Sequence, residues 1–321
     1  MAAAAAMALT GCDIEVESIG IDLPSIEEQN PELYAQYLSD LRAYKAAAGH
    51  KVTLAWMDNS SDAFYNQSDH LTAMPDSIDY AVLMHPAGLT QDIQDEMAMV
   101  REKKGTQVLY NIDYAAIKES YAGRDGDFNA WLSDTVRQAL ALCDKYAYDG
   151  VVVAFDGHGR ENIDEQQAQA YADLEDAMLG PVKSWLSSHG GKTFVLQGYP
   201  EVIYDKDVVN AARFIVIPCT GEWGVESIAY KLLHQATFGS ENAQYIPLVE
   251  TVPLNPDETG GYFKDGTRAI IATAQWIAGY SGAARVAGLG ICNAQRDYFN
   301  SQRVYPNVRQ AIGIMNPTTK H

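Results

Sequence analysis

The segment YDGVVVAFDGHG, residues 148–159, ends an apolar run with one carboxylate, Asp156. A carboxylic acid at the end of a buried strand can donate a proton when its surroundings raise its pKa. In such chemistry Asp156 or Glu161 would be the proton donor, and Asp113 or Glu250 would assist. Capping of a strand or a helix is the ordinary alternative role for each of these residues.

Polar and aromatic residues also follow the other apolar runs of the chain. Amides and carboxylates form hydrogen bonds with hydroxyl groups, and aromatic rings stack on apolar faces. For any single residue a turn or a cap is the simpler role, but together they predict an aromatic-lined bowl for a neutral, polyhydroxylated ligand. The candidates are Trp56, Asp58, Asn59, His85, Asn111, Asp113, Asp156, His158, Gln197, Tyr199, Glu222, Trp223, Glu250, Asn293 and Gln295.

Eight short apolar runs must position these side chains. Their near-continuous apolar character predicts parallel strands that are covered on both faces. The segments between most of them have helical character, with Thr90 and Asp164 as predicted N-caps. The runs are 52–59, 80–86, 106–113, 150–156, 193–200, 213–220, 245–253 and 285–294.

A strand followed by a helix, repeated along the chain, predicts an α/β fold, a single-domain (β/α)8 TIM barrel. A doubly wound open sheet is the alternative, and it is disfavoured because no G-x-G-x-x-G motif follows the first run. The predicted organisation is a signal or lipobox remnant at 1–11, an acidic tether at 12–31, the barrel at 32–316 and a tail at 317–321.

The composition excludes several classes of partner and cofactor. With 42 acidic and 23 basic residues the chain has a formal charge of −19, which repels the phosphates of nucleic acids. No metal-ligand spacing such as H-E-x-x-H or C-x-x-C occurs, so neither a metal nor a cofactor is predicted. Cys143, Cys219 and Cys292 stand singly in apolar segments, which predicts buried free thiols and leaves one disulfide open.

The first residues, MAAAAAMALTGCD, resemble the lipobox of bacterial lipoproteins, whose cysteine is acylated. The segment departs from that pattern because no Lys or Arg precedes the apolar run, and an Ala-rich leader is the alternative. The resemblance implies a membrane partner through a lipid anchor at Cys12. The expected location is the cell surface of an outer membrane, with its periplasmic side as the alternative.

The fourth run, DGVVVAFD, resembles the strand-4 signature D-G-x-D-x-D-x-E of glycoside hydrolase family 18, the chitinases and endo-β-N-acetylglucosaminidases. Asp149 and Gly150 match it, Val152 and Ala154 stand at the two aspartate positions, and Asp156 stands at the catalytic glutamate. The number of strands and QGYP at the end of the fifth run are also similar. The resemblance spans about residues 30–315 and implies a TIM barrel for glycans that contain N-acetylglucosamine.

The departures from this signature affect the chemistry directly. In the family the acetamido group of the substrate attacks, the glutamate protonates the leaving oxygen, and the preceding aspartate orients the acetamido group. Asp156 is one methylene shorter than glutamate, and a misplacement of about 1 Å can cost on the order of 100-fold in rate. Ala154 lacks the charge that would balance the developing oxazolinium ion.

These departures favour a surface lipoprotein that binds glycans containing N-acetylglucosamine, N-glycans among them, without hydrolysing them. It would be a pseudoenzyme of a polysaccharide-utilisation system. Two alternatives remain open. The first is an active endo-β-N-acetylglucosaminidase or related glycosidase with Asp156 as the general acid. The second is a structural subunit of an outer-membrane glycan importer.

Overall fold

The structure is a computed structural model, and it describes residues 25–61, 63–255, 257–300 and 302–317. The predicted lipobox with Cys12, the predicted tether up to residue 24 and the end of the predicted tail lie outside the described residues. The chain divides into two units, residues 1–39 and 40–321. In the first unit Ser25 and Glu28 form reciprocal hydrogen bonds, with Ser25 N 2.7 Å from the Glu28 carboxylate and Glu28 N 3.2 Å from Ser25 Oγ.

Eight parallel strands form the barrel of the second unit. Each predicted apolar run overlaps one of them, and a two-residue strand, β8, pairs with the start of the seventh. The strands are β1 (Val52–Met57), β2 (Tyr80–Leu83), β3 (Gln107–Asp113), β4 (Gly150–Ala154), β5 (Thr193–Gln197), β6 (Phe214–Pro218), β7 (Gln244–Glu250), β8 (Arg285–Val286) and β9 (Gly288–Cys292).

Two pairings close the sheet. Neighbours in sequence pair from β1 to β7, β7 pairs with β9, and β9 pairs with β1. Because no strand edge is left open in this circuit, the open-sheet alternative is wrong and the predicted (β/α)8 barrel is confirmed.

Helices separate most of the strands. The predicted N-caps are confirmed, since Thr90 Oγ1 accepts a hydrogen bond from Ile93 N at 3.4 Å and the Asp164 carboxylate accepts one from Gln167 N at 2.8 Å. The helices are α1 (Ile26–Gln29), α2 (Pro31–Lys45), α3 (Gln91–Met99), α4 (Tyr114–Ser120), α5 (Phe128–Lys145), α6 (Glu165–Ser188), α7 (Lys206–Ala211), α8 (Val225–Ala236), α9 (Ala269–Gly279) and α10 (Pro306–Met315).

The barrel lumen is filled by its own apolar cluster. Alternate residues of each strand point inward, so the cluster collects one side chain or more from almost every strand. Its members are Leu54, Trp56, Tyr80, Val82, Leu109, Val152, Val195, Phe214, Val216, Ile246 and Leu248. A second and larger cluster lies between the strands and the helices. The polar candidate residues follow this cluster at the carboxyl ends of the strands.

Gly150 allows β4 and β5 to approach each other closely. A Cβ atom on Gly150 would lie 1.9 Å from the carbonyl oxygen of Thr193. No side chain fits at that distance, so the glycine of the strand-4 signature is required by packing.

Candidate functional site

Three adjacent strands form the polar floor of the mouth. In the strand register Asp113 on β3, Ala154 on β4 and Gln197 on β5 stand at one level. One step deeper, Asn111 stands beside Val152, which belongs to the lumen cluster. Side chains along a strand point alternately to its two faces, and the side chain of Val152 points into the lumen. The side chains of Asn111, Asp113 and Gln197 therefore also point inward.

Two buried amide oxygens on this floor have no partner. Asn111 Oδ1 and Gln197 Oε1 are inaccessible to solvent, and neither forms a hydrogen bond with any described residue. Buried polar atoms are nearly always paired, so each exception needs an explanation. Both residues lie on the strands that flank β4, and each is partly exposed, so a ligand at the mouth could contact the exposed part of each side chain.

Asp156 follows β4 by two residues and remains open to solvent. Its carboxylate forms no hydrogen bond with the described residues. Partial burial and the negative charge of Asp113 raise the pKa of Asp156, while nearby His158 opposes them. The group can therefore hold a proton at higher pH than an ordinary aspartate.

The Asp113 carboxylate caps the amino terminus of α4. Its Oδ1 accepts hydrogen bonds from Ala115 N at 2.8 Å and from Ala116 N at 3.4 Å. This is an N-cap, which fixes the orientation of the carboxylate. A pocket of about 460 Å³ between the ends of β2 and β3 and the helices α4 and α5 is lined by His85, Asn111 and Asp113.

On the β5 and β6 side, the charges of Lys231 and Asp156 both act on Tyr199. Burial raises the pKa of Tyr199, and the charge of Asp156 adds to this effect against that of Lys231. Lys231 Nζ lies 5.9 Å from the centre of the Tyr199 ring and pairs with Glu222. Burial alone would raise the pKa of Glu222, but hydrogen bonds from Lys231 and Ser227 outweigh it and lower that pKa.

The polar residues after β1, β2 and β9 form hydrogen bonds and a His–Asp contact with one another. Asn59 Nδ2 donates to His85 O at 2.7 Å, and His85 N donates to Asn59 Oδ1 at 2.8 Å. His85 Nε2 lies 3.5 Å from Asp58 Oδ1, and Asp58 N donates to Gln295 Oε1 at 3.3 Å. These contacts fix the loops, and they leave the exposed His85 ring at the surface.

The remaining candidates lie in different surroundings. Trp56 is 3% exposed within the lumen cluster, so packing against its neighbours accounts for it. Asn293 adopts a left-handed backbone with φ 52° at the start of a short 3-10 helix. His158 stacks on Tyr171 with ring centres 4.5 Å apart. The structure thus brings Asn111, Asp113, Asp156 and Gln197 together, buries Trp56 in the lumen and distributes the other candidates among the loops that follow the strands.

Glu250 ends β7 beside Cys292 of β9 and is half-buried. The loop after β7 returns to it, because a Cβ atom on Gly260 would lie 2.7 Å from Glu250 Oε1. Burial raises the pKa of Cys292 to about 11, the charge of Glu250 adds to this effect, and a backbone hydrogen bond from Asn293 and the charge of Arg296 oppose it. The Glu250 carboxylate forms no ion pair with the described residues.

One cluster at the site was missed in the sequence. Arg160 stacks on Tyr204, with its guanidinium carbon 4.1 Å from the ring centre, and its Nη2 lies 2.6 Å from buried Glu175. Glu175 also accepts hydrogen bonds from Tyr204 N and Asp205 N. The cluster joins the loops after β4 and β5. It could not be predicted because its residues are far apart in sequence and form no recognisable short motif.

Exposed aromatic side chains on the loops were also missed, except Trp223. Trp223, Tyr262, Phe299 and Tyr65 are 59%, 47%, 50% and 72% exposed. They follow β6, β7, β9 and β1, which are consecutive around the barrel. We call these four residues the aromatic arc.

The described residues contain no group of three or more His, Cys, Asp or Glu side chains placed to hold a metal ion. None of the described helices has the length and apolar character of a membrane span. Cys143, Cys219 and Cys292 are free, as predicted, and the disulfide alternative is wrong. Burial raises the pKa of both the Cys143 and the Cys219 thiol to about 12.

Similar structures share the fold over most of the chain. A selenomethionine form of BT1044 with a Glu-to-Gln substitution superposes with a TM-score of 0.63 at 16% identity and covers 92% of this chain and 96% of that one. An apo endo-β-N-acetylglucosaminidase from Cordyceps militaris gives 0.59 at 14% identity, with 88% and 96% covered. A variant of the latter enzyme in complex with fucosyl-N-acetylglucosamine-Asn gives 0.57 at 14% identity, with 87% and 95% covered.

No curated protein is significantly similar in sequence. The family model for glycoside hydrolase family 18, BT1044-like, matches residues 13–314, nearly the whole chain. This match agrees with the closed barrel and with the position of the strand-4 signature on β4. The chain therefore belongs to glycoside hydrolase family 18, as a BT1044-like member.

Proposed function

We propose that the chain is a lipid-anchored protein of the outer-membrane surface that binds glycans containing N-acetylglucosamine, N-glycans among them, and does not hydrolyse them. Cys12 is the proposed site of the anchor, on the resemblance of its surroundings to a lipobox. The barrel mouth is the proposed glycan site. The observation that carries the proposal is a floor with unpartnered Asn111 and Gln197 amides next to Ala154, where the family has an aspartate.

The Cordyceps militaris complex supports the choice of ligand and of binding without cleavage. In that protein an Asp and a Glu two positions apart are replaced by their amides, and fucosyl-N-acetylglucosamine-Asn is bound. In this chain Ala154 and Asp156 have the same spacing. We infer that the absence of an acid at Ala154 and the shorter acid at Asp156 leave a site that retains the glycan.

A panel of N-glycans and chito-oligosaccharides tests this function by titration calorimetry, with product release followed over a day. We expect binding without released reducing ends. Asn111→Ala and Gln197→Ala should each weaken binding about tenfold, because each removes one hydrogen bond to the ligand. Tyr230→Ala is the control, since Tyr230 is 74% exposed on α8 and away from the floor. Failure of the whole panel to bind would refute the proposal.

A second candidate is a slow glycosidase with Asp156 as the general acid. It is favoured by the raised pKa of Asp156, which is the property that a proton donor needs. The same panel distinguishes the two functions. Released reducing ends that disappear in Asp156→Asn would establish hydrolysis and exclude the leading proposal.

A further inference from the structure

We infer that Arg160, Glu175 and Tyr204 form a clamp that positions the loop after β4 at the mouth of the barrel, and that Arg160 is a positioning residue of the glycan site. The inference rests on the proposed glycan-binding function, and it names the groups that hold one wall of the site. That wall consists of the loops that follow β4 and β5, which carry Asp156 and Tyr199.

The backbone on both sides of Asp156 lies against the end of β5 and the loop after it. Phe155 N donates to Gln197 O at 2.9 Å. Gly157 has φ 70°, and a Cβ atom there would lie 2.6 Å from Val202 O. A left-handed backbone in such close contact is suited to glycine alone. The position of Asp156 therefore depends on where the loop after β5 is held.

The clamp holds the loops after β4 and β5 together. Arg160 N donates to Tyr204 Oη at 2.9 Å, and the Arg160 guanidinium carbon lies 4.1 Å from the centre of the Tyr204 ring. Arg160 Nη2 also lies 2.6 Å from Glu175 Oε2, on α6. The second oxygen, Glu175 Oε1, accepts hydrogen bonds from Tyr204 N at 2.9 Å and from Asp205 N at 2.6 Å. One buried carboxylate thus joins both loops to α6.

A further contact with α6 lies between Asp156 and Arg160. The His158 ring stacks on Tyr171 of α6, with ring centres 4.5 Å apart and planes 20° apart. Residues 157, 158 and 160 therefore each contact α6 or the loop after β5. The Asp156 carboxylate is exposed and accepts no hydrogen bond from the described residues. The clamp thus fixes the backbone of the loop and leaves its carboxylate available to a ligand.

The contribution of the clamp to geometry can be separated from its contribution to stability. Burial of an Arg–Glu pair has a desolvation cost that offsets its attraction, so replacing both partners with neutral groups of similar size is often neutral for stability. Removing one partner is strongly destabilising, because the other charge stays buried without compensation. Glu175 is 5% exposed, so its carboxylate is such a charge.

The experiment compares Arg160→Met with the double variant Arg160→Met and Glu175→Gln, each in the full chain. We expect the single variant to lower the Tm and the second substitution to restore most of it. Hydrogen exchange of the segment 156–163, followed by mass spectrometry, should still be about tenfold faster in the double variant than in the wild type, because the loop is no longer held. Titration calorimetry with fucosyl-N-acetylglucosamine-Asn and with chitotetraose should give about tenfold weaker binding.

The matched control is Arg101→Met with Asp149→Asn, which removes an ion pair at the other end of the same strand. Arg101 Nε lies 2.7 Å from Asp149 Oδ1, just before β4 begins. This control should change neither the exchange of the segment 156–163 nor the affinity for the two probes. A second test keeps the ion pair. Tyr204 is 40% exposed, and Tyr204→Leu removes the ring beneath Arg160 and should also speed exchange, whereas Tyr204→Phe keeps the ring and should stay close to the wild type.

Unchanged exchange in both the double variant and Tyr204→Leu would overturn the clamp, whatever the Tm. Faster exchange with unchanged affinity would show that the clamp holds the loop but that Arg160 does not position the glycan site, which also overturns the inference. Failure of the wild-type chain to bind either probe would count against the proposed function instead. The exchange rates would then still decide whether the clamp holds the loop.

Discussion

The carboxyl group of Asp156 is held where its charge is disfavoured. Partial burial and the charge of Asp113 both raise its pKa, and no hydrogen bond from the described residues stabilises the ionised form. The site therefore carries a local cost in the free energy of folding at neutral pH. Binding sites often contain such groups, because a ligand rather than the protein satisfies them.

We predict that Asp156→Asn stabilises the protein at pH 7. The folded state binds the Asp156 proton more tightly than the unfolded state does, so stability decreases as pH rises from the unfolded pKa of about 3.9 through the raised folded value. Thermal unfolding should give a higher Tm for the variant at pH 7 and no difference near about pH 3. A lower Tm for the variant at pH 7 would contradict this account of the pKa.

The three thiols of the barrel should be unreactive in the folded protein. Burial raises the pKa of Cys143 and Cys219 to about 12 and of Cys292 to about 11, so almost no thiolate is present at pH 8. Iodoacetamide should modify none of them in the native state and all three in guanidinium, as counted by mass spectrometry. The measurement uses Cys12→Ser, so that only these thiols are counted, and rapid native labelling would disprove their burial.

Sequence reasoning found the residues of the floor, but it could not separate them from packing residues. Asn111, Asp113, Asp156 and Gln197 all follow from polar residues at the ends of apolar runs. Trp56 followed from the same rule, yet it is in the lumen. A run that is apolar on both faces has no alternation, so the sequence does not show which side chains point inward.

At the scale of elements, the predicted runs match the strands well at the start and less well at the end. The run 193–200 extends past β5, which ends at Gln197, and the run 213–220 extends past β6, which ends at Pro218. The extra residues are those that turn into the loops of the mouth. The boundary is hard to predict because site residues interrupt the apolar pattern where strand pairing stops.

We predict that Gly150→Ala strongly destabilises the barrel. The added Cβ would lie 1.9 Å from Thr193 O, so β4 and β5 must separate, at a cost of about 3 kcal/mol in the free energy of unfolding. Urea unfolding measures this difference. Gly190→Ala is the matched control, because no atom lies within 4 Å of its Cβ position. Equal midpoints for the two variants would show that the strands can adjust without cost.

At the scale of the molecule, the formal charge of −19 acts on the whole fold. Like charges repel in the compact state more than in the extended chain, and salt screens that repulsion. We therefore expect the Tm to rise as NaCl is raised from about 10 to about 150 mM, where the screening length falls to about 8 Å. Differential scanning calorimetry measures it, and a Tm that falls with NaCl would indicate that attractive ion pairs dominate instead.

The closed barrel could be predicted because strand number and the missing dinucleotide motif are properties of the whole sequence. The uneven distribution of polar and aromatic residues around the mouth of the barrel could not be predicted. The amide floor on β3 and β5 and the aromatic arc after β6, β7, β9 and β1 appear only when the strands are placed in a circle. Residues far apart in sequence then become neighbours.

The register of β3 and β4 also bears on how easily hydrolysis could be regained. An aspartate introduced at position 154 would stand level with Asp113 on the adjacent strand, at the usual spacing of about 4.8 Å between strands. With a glutamate at position 156, three acids would share one corner of the mouth and oppose one another's ionisation. The charge of Asp113 would therefore raise the pKa of acids introduced at positions 154 and 156, and any attempt to introduce hydrolysis into this barrel would act on three coupled carboxyl groups.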